Sequence, residues 1–457
     1  MSASVIERWD PEDRTAWEAG GSAIAQRNLW LSIPALLLAF AVWMVWSVVV
    51  VRLPEVGFPF TTDQLFWLAA LPGLSGATLR IFYSFAVPVF GGRRWTALST
   101  ASLLVPALGM GWAVQEPSTS YATMLVLALL CGLGGGNFAS SMANISFFFP
   151  KDRKGIALGL NAGLGNLGVS TMQFLVPLAI TTSVFGALGG QPQVSAKGGP
   201  VWLQNAGFIW VPFIVASVAA AWFGMNDLAS ARASFREQAV VFRRKHNWIM
   251  CWLYTGTFGS FIGFSAGLPL LTKALFPGVN PMKFAFLGPL VGALARPVGG
   301  WLADRLGGAR VTLWNFAAMA AFAAGVLAFL PRGGEPGSFP GFLALFLLLF
   351  ATSGIGNGST FRMIPAMFAT LHERRAGADP AAIALARRDA AKESAAVIGF
   401  SSAVAAYGAF FVPRAFGASM SATGSPAAAF VGFIVVYSSC IAVTWWIYAR
   451  RGAELPC

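Results

Sequence analysis

The chain has 457 residues, of which 56% are hydrophobic and 11% are charged, with a formal net charge of +13. Soluble domains carry about 25% charged residues, so this composition argues against an ordinary water-soluble protein and makes lipid the expected solvent. The four cysteines form no CxxC pair, and the two histidines, His246 and His372, are expected in polar loops. We therefore expect no disulfide framework, metal site, cofactor or catalytic residue, and no enzymatic activity.

The first 28 residues are polar, and the stretch Asp10-Pro11-Glu12-Asp13 predicts the cap of a short surface helix. Beyond it come runs long enough to cross a bilayer, which takes about 17–25 apolar residues. The sequence predicts twelve such spans, near 30–51, 64–90, 95–114, 121–148, 155–184, 203–226, 247–272, 284–303, 310–330, 340–368, 393–413 and 426–449. The predicted fold class is an all-α membrane protein with twelve transmembrane helices.

Lys and Arg residues are unevenly divided between the loops. Alternate loops and the two termini together hold 22 of the 31, the remaining loops hold six, and three lie within spans. The positive-inside rule then places both termini in the cytoplasm of a multi-pass protein of the cell (inner) membrane. The same distribution explains the basic charge without a nucleic-acid partner.

The longest basic loop follows the sixth span and divides the chain into two halves. The predicted organisation is a cytoplasmic N-terminal segment, a six-helix half, a cytoplasmic linker, a second six-helix half and a cytoplasmic tail, at 1–28, 29–226, 227–246, 247–450 and 451–457. Gly-Ala-Thr-Leu-Arg at 76–80 matches Gly-Ala-Leu-Ala-Arg at 292–296, and Gly91-Gly92 matches Gly307-Gly308, all at an offset of 216 residues. Two pseudo-symmetric halves around a central site are a known plan for transporters.

The matching arginines, Arg80 and Arg296, lie within membrane spans, where burying a charge is energetically unfavourable. Helix rise places each about 16 Å from the glycine pair that ends its span, which is near the midplane of a bilayer about 30 Å thick. None of the 18 acidic residues maps to a midplane, so an internal ion pair is the weaker explanation. We expect the two arginines to face each other across a central cavity and to clamp an anion.

The planar guanidinium fork fits a planar anion with several oxygens. Carboxylate and phosphate substrates stay open on this argument alone. The anion is identified more closely by a resemblance to a known family.

Residues 134–150, which begin Gly-Gly-Gly-Asn-Phe and end Phe-Phe-Phe-Pro, closely resemble the first nitrate signature of the nitrate/nitrite porter family of the major facilitator superfamily. Residues 159–168 are also similar to that family, and residues 354–361 resemble its second signature. The loop 299–310 resembles the superfamily's cytoplasmic loop motif, but the N-terminal copy has Pro88 where Asp304 stands.

The resemblance implies that Arg80 and Arg296 hold nitrate or nitrite. It further implies that Phe138 and Phe258 stack on the flat faces of the anion. Tyr254, one turn before Phe258, and Asn166 would supply polar contacts, although either could instead serve as hydrogen-bonding glue between helices.

Six signature glycines are expected to permit close helix crossing and sliding: Gly135, Gly136, Gly163, Gly165, Gly356 and Gly358. A third arginine within a span, Arg362, departs from the family pattern. It is expected either to extend to the cytoplasmic surface or to attract anions to the inner mouth of the pathway.

The predicted function is exchange of nitrate for nitrite by alternating access, because no carboxylate or histidine is placed to carry a proton. A nitrate/proton symporter and an anion channel are the alternatives. We expect a monomer in the lipid bilayer with a role in nitrate assimilation. The preference between nitrate and nitrite and the net direction of transport stay open.

Overall fold

The computed structural model describes residues 5–196, 198–229, 242–332, 334–376 and 380–455. Residues 230–241, which make up most of the predicted linker 227–246, lie outside the described part of the chain. The first four residues of the segment 1–28 and the last two of the tail 451–457 also lie outside it.

Eleven helices of the described chain are long and apolar enough to cross a membrane, and helix Lys151–Ala179 stands where the fifth span was predicted. We number the twelve α1 to α12 in chain order: Arg14–Val56, Thr62–Tyr83, Gly92–Ala113, Tyr121–Phe148, Lys151–Ala179, Asn205–Gly224, Lys245–Leu275, Pro281–Leu306, Gly308–Ala328, Phe339–Arg374, Ala396–Thr423 and Ala427–Ala449. This pattern confirms the predicted all-α fold. Large apolar side chains such as Phe223 and Trp314 are 85% and 74% exposed, as suits helices surrounded by lipid.

Short elements complete the described chain. Val5–Ile6 pairs in parallel with Asp227–Leu228, and Gln193–Val194 pairs antiparallel with Pro200–Val201. The long helix α1 contains a kink at Gly20, where φ is 144°. Its main parts are Ser22–Met44 and Trp46–Arg52.

The contacts divide the chain into two compact units. Unit 1 comprises the described residues within Met1–Ala233, Ser265–Leu287 and Ala409–Ala418. Within it, α2 lies against α4, and α1 lies against α4 and α5. The second half of α7 and a short part of α11 therefore belong to the same unit as α1 to α6.

Unit 2 comprises the described residues within Ser234–Phe264, Gly288–Gly408 and Ser419–Cys457. Within it, α9 lies against α10 and α12, α10 lies against α11, and α7 also contacts α11. The first residues of α11 belong to a longer helix that begins at Pro380 and ends at Ala406. The predicted domain bounds 29–226 and 247–450 describe the sequence repeat and stay a prediction.

The second predicted span, 64–90, is interrupted in the structure. Helix α2 starts with a capping box, in which Thr61 and Gln64 exchange side-chain and main-chain hydrogen bonds. It ends at Tyr83, and a separate short helix covers Ala86–Phe90. Pro88 explains the break, because it has no N–H for the carbonyl of Ser84 and its ring would clash there.

The glycine pairs of the repeat have similar backbone geometry. Gly91 has φ 85° in unit 1 and Gly307 has φ 89° in unit 2. Side chains with a Cβ rarely adopt this left-handed region. Each glycine lets the chain leave one helix and immediately enter the next, which accounts for the pair in both halves.

The polar N-terminus begins as predicted, since the side chain of Asp13 accepts hydrogen bonds from the amides of Thr15 and Ala16. The expected position of the histidines in polar loops is wrong. His246 is 4% exposed in the first turn of α7, where its Nδ1 lies 3.0 Å from the hydroxyl of Tyr448. His372 lies within helix Phe339–Ala376. Local polarity misled the prediction because helices here extend past their apolar segments.

Candidate anion-binding residues

Arg80 lies in α2 and none of its surface is exposed. Its Nε donates a hydrogen bond to the main-chain carbonyl of Gly135 in α4, over 2.9 Å. Its guanidinium carbon lies 4.9 Å from the ring centroid of Phe138 and 5.2 Å from that of Trp43. A cation within about 6 Å of an aromatic face is attracted by the ring quadrupole. Unit 1 thus stabilises this buried cation with one carbonyl and two aromatic rings.

A close approach of α2 and α4 makes this arrangement possible. A Cβ on Gly135 would lie 2.7 Å from the Cα of Gly76 and 2.7 Å from the indole of Trp43. A Cβ on Gly76 would lie 2.4 Å from Trp43 Nε1. Only glycine leaves room for this contact, which brings the carbonyl of Gly135 within reach of Arg80.

Arg296 lies in α8 of unit 2 and is partly exposed. Its guanidinium carbon lies 4.9 Å from the ring centroid of Phe361, and its Nη2 donates to the hydroxyl of Tyr254 over 3.4 Å. Its buried Nη1 has no hydrogen-bond partner among the described residues. A buried, charged donor without a partner is uncommon in proteins, so this nitrogen is suited to an external acceptor.

The predicted aromatic residues take different positions in the two units. Phe138 lies beside Arg80, as described above. Phe258 is buried and stacks on Tyr254, with ring centroids 5.4 Å apart and planes 10° from parallel. Phe258 therefore supports the tyrosine that contacts Arg296. The expectation that both phenylalanines stack on the anion stays a prediction.

Six buried asparagines carry side-chain oxygens that have no hydrogen-bond partner within the described ranges, and three of them lie in segments that resemble the family: Asn137, Asn166 and Asn357. Asn137 and Asn357 occupy matching places in the two signature segments. Asn166 is 1% exposed in α5. Rotation of an amide exchanges its acceptor and donor ends, so such groups can adapt to an anion or to water.

Five of the six signature glycines lie against neighbouring atoms. A Cβ would fall within 2.7 Å of another residue at Gly135, Gly136, Gly165, Gly356 and Gly358. In unit 2 the close crossing resembles that of unit 1, since a Cβ on Gly354 would lie 2.1 Å from the carbonyl oxygen of Gly292. Gly163 differs, because a Cβ there would meet no atom within 4 Å.

Arg362 forms an ion pair with Asp304, the acidic residue of the 299–310 motif, and both side chains are about half exposed. In unit 1, where Pro88 replaces the acid, Asp227 instead accepts hydrogen bonds from the main-chain amide and the side chain of Arg93. An acidic residue from the end of α6 thus compensates for the missing one in the loop.

A second group of charges in unit 1 joins segments that are distant in sequence. Glu55 accepts hydrogen bonds from Arg52 over 2.5 Å and from Lys273 over 3.0 Å. Arg414 donates to Asp63 over 2.8 Å and lies over the ring of neighbouring Trp67. These ion pairs connect the ends of α1 and α2 to two other segments of unit 1, residues 265–287 and 409–418.

Sequence reasoning missed two residues that contact the arginines, Trp43 and Phe361. Phe361 was within the second signature, and this was the available signal for it. Trp43 belongs to no motif, and nothing in its neighbourhood along the chain distinguishes it. No group of three potential metal ligands occurs in the part of the chain that the structure describes.

Comparison with known proteins identifies relatives along nearly the whole chain. Residues 31–378 match the Major Facilitator Superfamily. The chain is 51% identical over 450 residues to the nitrate/nitrite transporter NarU of Escherichia coli (strain K12), covering 98% of this chain and 97% of that protein. It is 45% identical over 461 residues to the probable nitrate/nitrite antiporter NarK2 of Thermus thermophilus, covering 99% and 98% of the two chains.

Proposed function

Because this chain belongs to the nitrate/nitrite porter family of the Major Facilitator Superfamily, we propose that it exchanges nitrate for nitrite across the membrane by alternating access. Arg80 and Arg296 both bind the anion. The chain is a multi-pass membrane transporter and not an enzyme. We place it in the cell inner membrane with both termini in the cytoplasm, on the basis of the basic loops.

The observation that carries the proposal is the buried Nη1 of Arg296, which has no hydrogen-bond partner among the described residues. A guanidinium in an apolar setting needs acceptors, and a planar oxyanion offers them at matching spacing. Arg80 supplies a second cation at the matching position of the repeat. One monovalent anion between two such cations leaves a net positive site, which favours retention of the anion.

Exchange follows from the charge of the site. An empty site with two arginines is costly to move through a low-dielectric environment, whereas the loaded site is less charged. Each change of conformation therefore requires an anion, so inward movement of nitrate is coupled to outward movement of nitrite. The name of the Thermus relative, a probable nitrate/nitrite antiporter, agrees with this scheme.

The test uses the purified full chain in proteoliposomes. Nitrate uptake is measured into vesicles loaded with nitrite and into vesicles loaded with gluconate, each with and without an imposed inward proton gradient. We expect uptake only with internal nitrite or nitrate, and no dependence on the gradient. Uptake into gluconate vesicles that follows the proton gradient would establish symport instead. Single-channel currents far above carrier rates would establish a channel.

A further inference from the structure

We propose that Trp43 is a positioning residue for the anion site, in which its indole ring holds the guanidinium of Arg80 in the orientation that receives the substrate. This inference deepens the proposed function and rests on it. It also gives Gly76 and Gly135 a specific task, which is to create the space that the indole occupies.

The indole of Trp43 is held by burial, by a hydrogen bond and by a neighbouring ring. The side chain is completely buried in α1, and its Nε1 donates a hydrogen bond to the carbonyl oxygen of Pro72 in α2 over 2.6 Å. Phe40, one turn earlier, contacts it with ring centroids 5.6 Å apart. The aromatic face is thereby presented to Arg80, which lies on the same helix as Pro72.

The contact with Arg80 is energetically useful because both side chains are completely buried. The guanidinium carbon lies 5.2 Å from the indole centroid. Tryptophan offers the strongest aromatic face for a cation, and the attraction grows when both partners are removed from water. Phe138 adds a second ring at 4.9 Å. The two rings therefore stabilise the buried charge of Arg80 through their faces.

Gly135 connects the position of Trp43 with that of Arg80. Its carbonyl oxygen accepts the hydrogen bond from Arg80 Nε. Its missing side chain leaves the space for the indole, since a Cβ there would lie 2.7 Å from Trp43 Cε2. Gly135 therefore contacts both side chains, since its carbonyl binds Arg80 and its missing Cβ leaves room for Trp43.

The two arginines differ in this respect. Arg296 contacts the ring of Phe361 and the hydroxyl of Tyr254, and it is partly exposed. Arg80 is fully buried and is held by an indole, a phenyl ring and a carbonyl. We infer that Arg80 is the fixed half of the clamp, and that loss of Trp43 weakens anion affinity more than turnover.

The test compares Trp43→Leu and Trp43→Phe with Trp46→Leu and Trp46→Phe in the full-length transporter. Trp46 is the matched control, because it lies in the same helix, is also completely buried and has no arginine contact among the described residues. Counterflow in proteoliposomes gives KM and kcat for nitrate. Thermal unfolding in detergent, with and without nitrate, gives the stabilisation produced by the anion.

We expect Trp43→Leu to raise the KM for nitrate about tenfold, with kcat within about twofold of wild type. Trp43→Phe, which keeps an aromatic face, should raise KM about threefold and remains informative if the leucine variant does not fold. Both Trp43 variants should show a reduced nitrate-induced rise in Tm. The Trp46 variants should lose basal stability but keep the wild-type KM and nitrate-induced shift.

Equal KM values for the Trp43 and Trp46 variants and wild type would overturn the positioning role. The same experiment separates this result from failure of the proposed function, because wild type is run with nitrate, nitrite, chloride and acetate. If wild type responds to chloride or acetate but to neither nitrate nor nitrite, the proposed substrate is wrong and the Trp43 comparison is made with the anion that binds. If wild type responds to none, both proposals fail.

Discussion

The Nε of Arg80 lies 2.9 Å from the carbonyl oxygen of Gly135 and donates a hydrogen bond to it. This bond joins the buried cation of α2 to the signature segment of α4. It forms because both helices have glycine where they cross, at Gly76 and Gly135. Arg80, which we propose as an anion ligand, and the glycine signature are therefore parts of one local arrangement.

Gly135→Ala should separate these helices. Its Cβ would lie 2.7 Å from the Cα of Gly76, a backbone atom that moves only with its helix. We expect a loss of about 1–3 kcal/mol in the free energy of unfolding, together with weaker nitrate counterflow. The control is Gly163→Ala, where nothing lies within 4 Å. That variant should unfold at the wild-type temperature or slightly above it, since alanine favours a helix. Equal effects at both positions would contradict this account.

Arg80→Lys and Arg296→Lys test the shape of the cation, since lysine keeps the charge and loses the planar fork. Hydrogen bonds to charged groups contribute about 1.5–3 kcal/mol, so each variant should raise the KM for nitrate at least tenfold, on the order of 10–100-fold. Counterflow in proteoliposomes provides the measurement. Arg310→Lys, at an exposed position, is the control and should behave as wild type. Normal transport by both the Arg80→Lys and the Arg296→Lys variant would rule out recognition by the guanidinium fork.

The ion pair between Glu55 and Lys273 should contribute measurably to the stability of unit 1. The two side chains are 10% and 25% exposed, which reduces screening by solvent. In a double-mutant cycle with Glu55→Gln and Lys273→Met, we expect a coupling free energy of about 1 kcal/mol. The exposed pair Lys245 and Glu454, at 61% and 48%, is the matched control and should give less than about 0.5 kcal/mol. The coupling free energies are obtained from unfolding in detergent at low and at high salt. A larger coupling free energy for the exposed pair than for the pair Glu55 and Lys273 would contradict the prediction.

The carboxyl of Glu454 should make a small, pH-dependent contribution to stability. The hydrogen bond from Lys245 lowers the pKa of this carboxyl below its ordinary value, against the opposing effect of burial. A lowered pKa in the folded state stabilises the fold above the unfolded pKa of about 4.3, and this stabilisation is lost as the pH falls through the folded pKa. Because the side chain is half exposed, we expect less than about 0.5 kcal/mol. Thermal unfolding measured from about pH 3 to about pH 7 should show this loss of stability at low pH in wild type and not in Glu454→Gln.

Several features of the fold could be predicted because they depend on local composition. Apolar runs, basic loops and the glycine pairs each mark a span or its end without reference to distant residues. The left-handed φ of Gly91 and Gly307 agrees with the repeat found in the sequence. The interruption of the second span was missed, although Pro88 was visible, because a single proline can also be accommodated within a transmembrane helix.

Contacts between helices were harder to predict. Arg362 lies 58 residues from Asp304 along the chain, and their ion pair depends on how α8 and α10 meet. Asp227 takes the place of the acidic residue that the loop of unit 1 lacks. This interaction also depends on helix packing, because it requires the end of α6 to lie beside Arg93. A linear pattern contains no information about which helix faces are adjacent.

The membrane class, the twelve spans, the family and the repeated pair Arg80 and Arg296 were predictable from the amino-acid sequence. These follow from hydrophobicity, charge and local motifs, which act along the chain. Helix packing was needed to show that Trp43 and Phe361 contact those arginines, and that Arg80 is buried while Arg296 is partly exposed. The chain has 39 phenylalanines and 17 tryptophans, so residue type alone does not indicate which of them lies next to an arginine. Their roles arise where glycines let helices approach, because distance and orientation in three dimensions determine the energy of a cation next to an aromatic ring.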